Sequence, residues 1–191
     1  MRFPPVKVLG IIAVIGAPWV MIDFINNGLY DRFQLTSVSG IRCFFFITGW
    51  ICSILGLYKL HEPMSRARKL IFSLLLFFLS LANVWNVMEV FNPHSHSEVF
   101  FLLNFSWPLS GLLMVITSIL ITRSNKIRGW KKWMPLVASL WFPQTMFMAL
   151  TGQQTFMQLI GSGMYSAISF GLMGFSLIAA GSERVEAGVF A

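Results

Sequence analysis

Apolar residues in this chain come in long unbroken runs, not in the alternating or heptad patterns of soluble domains. Six runs are long enough to cross a bilayer, at roughly 20 residues per crossing. They cover approximately residues 6–24, 38–58, 70–91, 99–122, 134–150 and 157–181. The pattern predicts an all-α, polytopic integral membrane protein, a compact bundle of six transmembrane helices forming one domain over residues 1–191. The fifth run is short and carries Pro143. The polar gaps are too short to fold alone, and the one at 25–37 is rich in turn formers. The first run follows a basic start, as a secretory signal does. Cleavage after Gly16 and Ala17 would leave Pro18 first, and the apolar run continues to Ile22, so it is read as a retained transmembrane helix.

Composition agrees with this reading: 56% of residues are hydrophobic and 11% are charged, against about 25% charged in soluble domains. Placement of the fourteen Lys and Arg residues then adds an orientation. Twelve fall in alternate gaps, at Arg2 and Lys7, at Lys59, Arg66, Arg68 and Lys69, at Arg123, Lys126, Arg128, Lys131 and Lys132, and at Arg184. Only Arg32 and Arg42 fall on the other side. Basic loops stay cytoplasmic, so both termini are expected in the cytoplasm of a plasma or cytoplasmic membrane. The net charge of +7 is thereby assigned to orientation and anionic lipid headgroups, not to nucleic acid. Trp130 and Trp133, interleaved with Lys131 and Lys132, read as interfacial anchors.

A crude internal echo accompanies the runs. Odd runs carry a Trp followed by Met or an acid (Trp19 to Asp23, Trp85 to Glu89, Trp141 to Met146). Even runs carry Ser-Gly pairs at Ser39 and Gly40, Ser110 and Gly111, and Ser162 and Gly163. Three αα hairpins of common origin would produce this, as would the ordinary abundance of these residues in membrane spans.

Charged groups inside spans are costly and normally face protein or water. Asp23, Arg42 and Glu89 share a depth in the extracytoplasmic third. Two readings fit them: interfacial residues with Arg42 reaching to the headgroups, or Arg42 paired with Asp23 or Glu89 in an outward-facing pocket. The third run favours the pocket, because Ser80, Asn83, Asn86 and Glu89 recur every three residues on one slowly drifting helical face. Asn104 and Gln144 are expected to join them. Pro18, Pro108 and Pro143 lie nearby and can open space beside kinked helices. Trp19, Trp85, Trp107 and Trp141 either line the pocket or form the outer aromatic belt, the belt being the default.

In the loop at 92–98, His94, His96 and Glu98 form a candidate divalent-metal or pH-sensitive group. Gly163, Ala167 and Gly171 make a small-residue stripe for helix packing, within the monomer or against a second copy or another membrane protein. Cys43 and Cys52 lie nine residues apart, on roughly opposite helical faces, and are read as small apolar residues. There is no mid-span His pair for haem, no mid-span Lys for a Schiff base, no Gly-x-Ser-x-Gly elbow and no phosphate-binding Gly loop. No cofactor is expected. The leading expectation is a non-catalytic protein that binds or transports a small solute or ion. The alternatives are a membrane subunit or sensor working through helix association, and a lipid-modifying enzyme.

Overall fold

The computed structural model describes residues 4–29, 36–93, 97–124, 126–151 and 155–189. Among the described residues every regular element is helical. Five stretches are long and apolar enough to cross a membrane: Val6–Asn27, Ser37–His61, Arg66–Phe91, Glu98–Thr122 and Phe156–Glu183. The first is made of α1 (Val6–Gly16) and α2 (Trp19–Leu29). Pro18 has no N–H for the carbonyl four residues back, so the ladder breaks there. The path continues because the Ile22 N–H reaches the Pro18 carbonyl at 3.1 Å. The next three stretches are α3 (Ser37–His61), α4 (Arg66–Phe91) and α5 (Glu98–Thr122).

The run expected to cross at 134–150 is not one helix. It forms α6 (Met134–Ser139) and α7 (Trp141–Thr151), which meet at Leu140. Pro143 is the physical reason, since it cannot donate to the Ser139 carbonyl four residues earlier. Neither piece alone is long enough to cross, so among the described residues five helices are long and apolar enough to do so, and the remaining run of the pattern is divided in two. The last helix, α8, covers Phe156–Val189.

The helices pack as a ring in chain order. α1 and α2 lie on α3, α3 on α4, α4 on α5 and α5 on α6; α6 and α7 lie on α8, which closes the ring against α1 and α2. Aromatic rings plug the centre. Phe170 meets both Phe46 and Trp50 at centroid separations of 5.1 Å, and Trp141 meets Phe46 at 5.5 Å. All are near edge-to-face, which suits the ring quadrupoles. α1 and α3 approach more closely than side chains allow. A Cβ on Gly16 would lie 2.8 Å from the Gly49 Cα and from the Phe45 carbonyl oxygen. Outside the ring, Phe77, Leu102, Phe105, Leu150 and Met157 are exposed, an apolar surface suited to lipid chains.

The two ends of the bundle differ in chemistry. At one end Lys59 Nζ donates to the Pro4 carbonyl (2.7 Å), and Lys126 Nζ donates to the carbonyls of His61 (2.8 Å) and Pro63 (2.7 Å). Lys131 pairs there with Glu183. His61 is buried at this basic end, its Nδ1 2.8 Å from the Leu57 carbonyl and its Nε2 2.9 Å from Ser124 Oγ. That contact ties the close of α3 to the close of α5, and nothing in the run pattern pointed to it. The opposite end gathers the C-terminal ends of α2, α4 and α7 with the N-terminal ends of α3, α5 and α8.

Candidate functional site

The opposite end holds the polar cluster. Thr36 caps α3, its hydroxyl accepting the Ser39 N–H at 3.0 Å. That cap directs the Ser39 hydroxyl to Asp23, where it donates to Oδ2 at 2.9 Å. Asn27, one turn along α2, donates to the same oxygen at 3.0 Å. Arg42 Nη1 lies 3.5 Å from Asp23 Oδ1. With its amide oxygen turned to the guanidinium, Asn26 accepts from Arg42 Nη1 at 2.5 Å and from Nη2 at 2.6 Å. Asp23 is only 1% exposed, yet both of its oxygens are met. Of the two sequence readings of Arg42, the pairing with Asp23 is the arrangement in the structure, and Arg42 does not bond Glu89.

The polar face of α4 divides into used and unused groups. Asn83 Nδ2 donates to Thr48 Oγ1 of α3 at 3.1 Å, and Asn86 Nδ2 donates to Asn83 Oδ1 at 3.3 Å. Ser80 is exposed and turns back to the Leu76 carbonyl at 2.8 Å. Glu89 is 0% exposed, and neither carboxylate oxygen makes a hydrogen bond of ordinary geometry, the Thr36 backbone N–H lying near but not meeting it. The indole N–H of Trp85, one turn earlier, is also buried and unpartnered. An unsatisfied charge in such surroundings is expensive.

Glu89 lines a cavity of about 220 Å³. Val20 and Phe24 of α2, Ser39, Cys43, Phe46 and Ile47 of α3, and Trp85 and Asn86 of α4 form much of its wall. Asn104 and Trp107 of α5 and Trp141 of α7 complete it. Trp141 is held in place by its Nε1, which donates to Ser162 of α8 at 3.0 Å. A second cavity of about 200 Å³ shares Phe24 and Trp107 and continues between Thr145, Met148 and Leu159.

Several expectations change here. Trp85, Trp107 and Trp141 wall the cavity instead of forming an outer belt, and Trp141 is fully enclosed by α3, α5 and α8. Trp19 stacks on Phe45 at 5.2 Å, away from the cavity wall. Asn104 is exposed and contributes to the cavity wall. Gln144 is exposed on α7 and lines neither cavity, because the break at Leu140 and Pro143 sets the phase of that helix.

His94 and His96 lie outside the described residues, and Glu98 is exposed at the start of α5. Among the described residues no three His, Cys, Asp or Glu side chains gather as a metal would require. The small-residue stripe is turned inward. A Cβ on Gly163 would meet the Met21 Cα at 3.0 Å, and one on Gly171 would come no nearer than 3.9 Å to Ala17 Cβ. Ala167 lies between them, half-buried.

The chain matches no family model, no curated protein and no solved structure. The site therefore has to be read from its own chemistry.

Proposed function

We propose that this is a multi-pass membrane protein whose cavity at Glu89 binds a small solute or ion from the extracytoplasmic side, as a carrier or receptor site. The observation that supports it most is the Glu89 carboxylate, enclosed and without a hydrogen-bond partner at the wall of a cavity of about 220 Å³. Burying a carboxylate this way destabilises the bundle unless a proton, cation or donor completes it. The neighbouring Asp23 shows how the fold satisfies an acid it uses structurally. Orientation comes from the basic end, which the positive-inside rule assigns to the cytoplasm, so that the cavity lies towards the outer face. In this reading α6 and α7 together complete a sixth, broken crossing. Broken helices are common where transporters form their binding sites.

A thermal-shift screen tests the reading. Purified protein would be heated with small cations, anions and neutral polar solutes, beside Glu89→Gln. At 100 times its dissociation constant a ligand adds about 2.7 kcal/mol, or several degrees of unfolding midpoint. At least one solute should raise the wild-type midpoint and leave the folded variant unmoved. A flat screen with both proteins folded overturns the reading.

A further inference from the structure

From the composition of the cavity wall we infer that its ligand is a small organic monocation of the alkylammonium class, held by Glu89 within the indoles of Trp85, Trp107 and Trp141. The inference rests on the binding reading above and adds the chemical class.

Charge comes first. Among the described residues within the spans, three ionisable carboxylate or guanidinium groups lie at this depth, Asp23, Arg42 and Glu89. Asp23 and Arg42 are bound to each other and to Asn26, Asn27 and Ser39. Their charges offset, which leaves, among the described residues, the buried Glu89 carboxylate in the cavity wall without a counter-charge, a single negative partner for one positive charge once the wall yields to it.

The wall then decides which cation. A hard metal ion needs about six oxygen ligands at short range, and among the described residues Glu89 is the single carboxylate on this wall, with Asn86, Asn104 and Ser39 as its other oxygen-bearing side chains. Most of the remaining wall is aromatic or aliphatic. Indole faces attract cations through the ring quadrupole, and an alkylated ammonium gives up little hydration when it is enclosed by them. The indoles are also held firmly. Trp107 and Trp141 meet edge-to-face at 5.6 Å, Trp85 packs on Phe100 at 5.5 Å, and Ser162 fixes Trp141. Size agrees as well. At ~30 Å³ per water molecule, the cavity of about 220 Å³ has room for a head group of several heavy atoms.

Choline and its uncharged isostere 3,3-dimethylbutan-1-ol separate charge from shape. Both would be titrated calorimetrically into the full-length protein in nanodiscs. Choline should bind at least about tenfold more tightly than the alcohol, equivalent to ~1.4 kcal/mol. Glu89→Gln should bring choline down to the level of the alcohol and leave the alcohol unchanged, while Trp107→Leu should narrow the ratio several-fold. The comparison within the wild type needs no variant to fold. Equal affinity for the two compounds, indifferent to Glu89→Gln, overturns the cation class and leaves the solute-binding reading standing. Binding of neither compound also overturns the class, and the thermal-shift screen then decides the broader reading independently.

Discussion

Replacing Asp23 with alanine should destabilise the bundle by about 3 kcal/mol, the low end of the range for removing one partner of a buried ion pair. The low end applies because Arg42 keeps 20% of its side-chain surface exposed. The loss has three parts. Arg42 retains Asn26 but loses its counter-charge, and the Ser39 hydroxyl and the Asn27 amide lose the oxygen they share. Ser39 and Arg42 belong to α3 and Asp23 to α2, so the seam between those helices should open first. Asp23→Asn keeps an acceptor of the same shape and should recover part of the deficit. Unfolding midpoints of the three proteins in one detergent provide the measurement. Equal midpoints for wild type and Asp23→Ala would show that the cluster does not hold the seam.

Gly16→Val should be at least as damaging, for a different reason. The position admits no Cβ, with the Gly49 Cα and the Phe45 carbonyl oxygen each 2.8 Å from where one would sit. Both obstacles are backbone, so no rotamer change relieves the clash, and α1 must separate from α3. Overpacking in a core costs about 1–3 kcal/mol and more where the backbone must shift. Separated helices also lose the van der Waals contact that holds membrane bundles together. Gly171→Ala is the matched control. A methyl there meets nothing nearer than 3.9 Å, and its stability should stay near wild type. Size-exclusion profiles and midpoints for the pair would separate a contact effect from a general intolerance of substitution.

The membrane class, the helix positions and the gathering of basic residues at one end were legible in the runs and gaps alone. A lipid environment allows few solutions for a 20-residue apolar run. The division of the fifth run was not legible because run length ignores hydrogen-bond arithmetic: Pro143 removes the donor for Ser139, and the helix divides into α6 and α7. That break rotates Gln144 away from the cavity that its sequence depth suggested. The cluster was half legible. Asp23, Arg42 and Glu89 share a depth, but which acid takes the arginine depends on Thr36, Ser39 and Asn27, whose directions follow only from the packed α2 and α3. Tryptophans at this depth suit a belt or a cavity equally well on chemical grounds, and the inward rotation of α4, α5 and α7 decides between them.

The Ser-Gly echo does correspond to a shared structural task. Ser39, Ser110 and Ser162 are all buried. The glycine after each lies against the next helix round the ring: Gly40 on the backbone of α4 at Asn86, Gly111 on Phe142 of α7, and Gly163 on Met21 of α2. Each acid or polar residue four after the odd-run tryptophans is buried too, at Asp23, Glu89 and Thr145. Asp23 is met by the serine of its own hairpin, whereas Glu89 has no partner. Thr145 turns back to the Trp141 and Phe142 carbonyls of its own helix, so of the three positions Glu89 alone has an unsatisfied side chain.

On the proposed orientation the Glu89 cavity opens to the extracytoplasmic face, and labelling at its wall distinguishes that from a cytoplasmic opening. Asn104→Cys would be made with Cys43 and Cys52 replaced by alanine, and treated with a membrane-impermeant methanethiosulfonate in sealed vesicles of known orientation. An outward-facing cavity gives rapid modification in right-side-out vesicles and protection in inverted ones. Modification in inverted vesicles alone would place the cavity on the cytoplasmic side and overturn the proposed orientation.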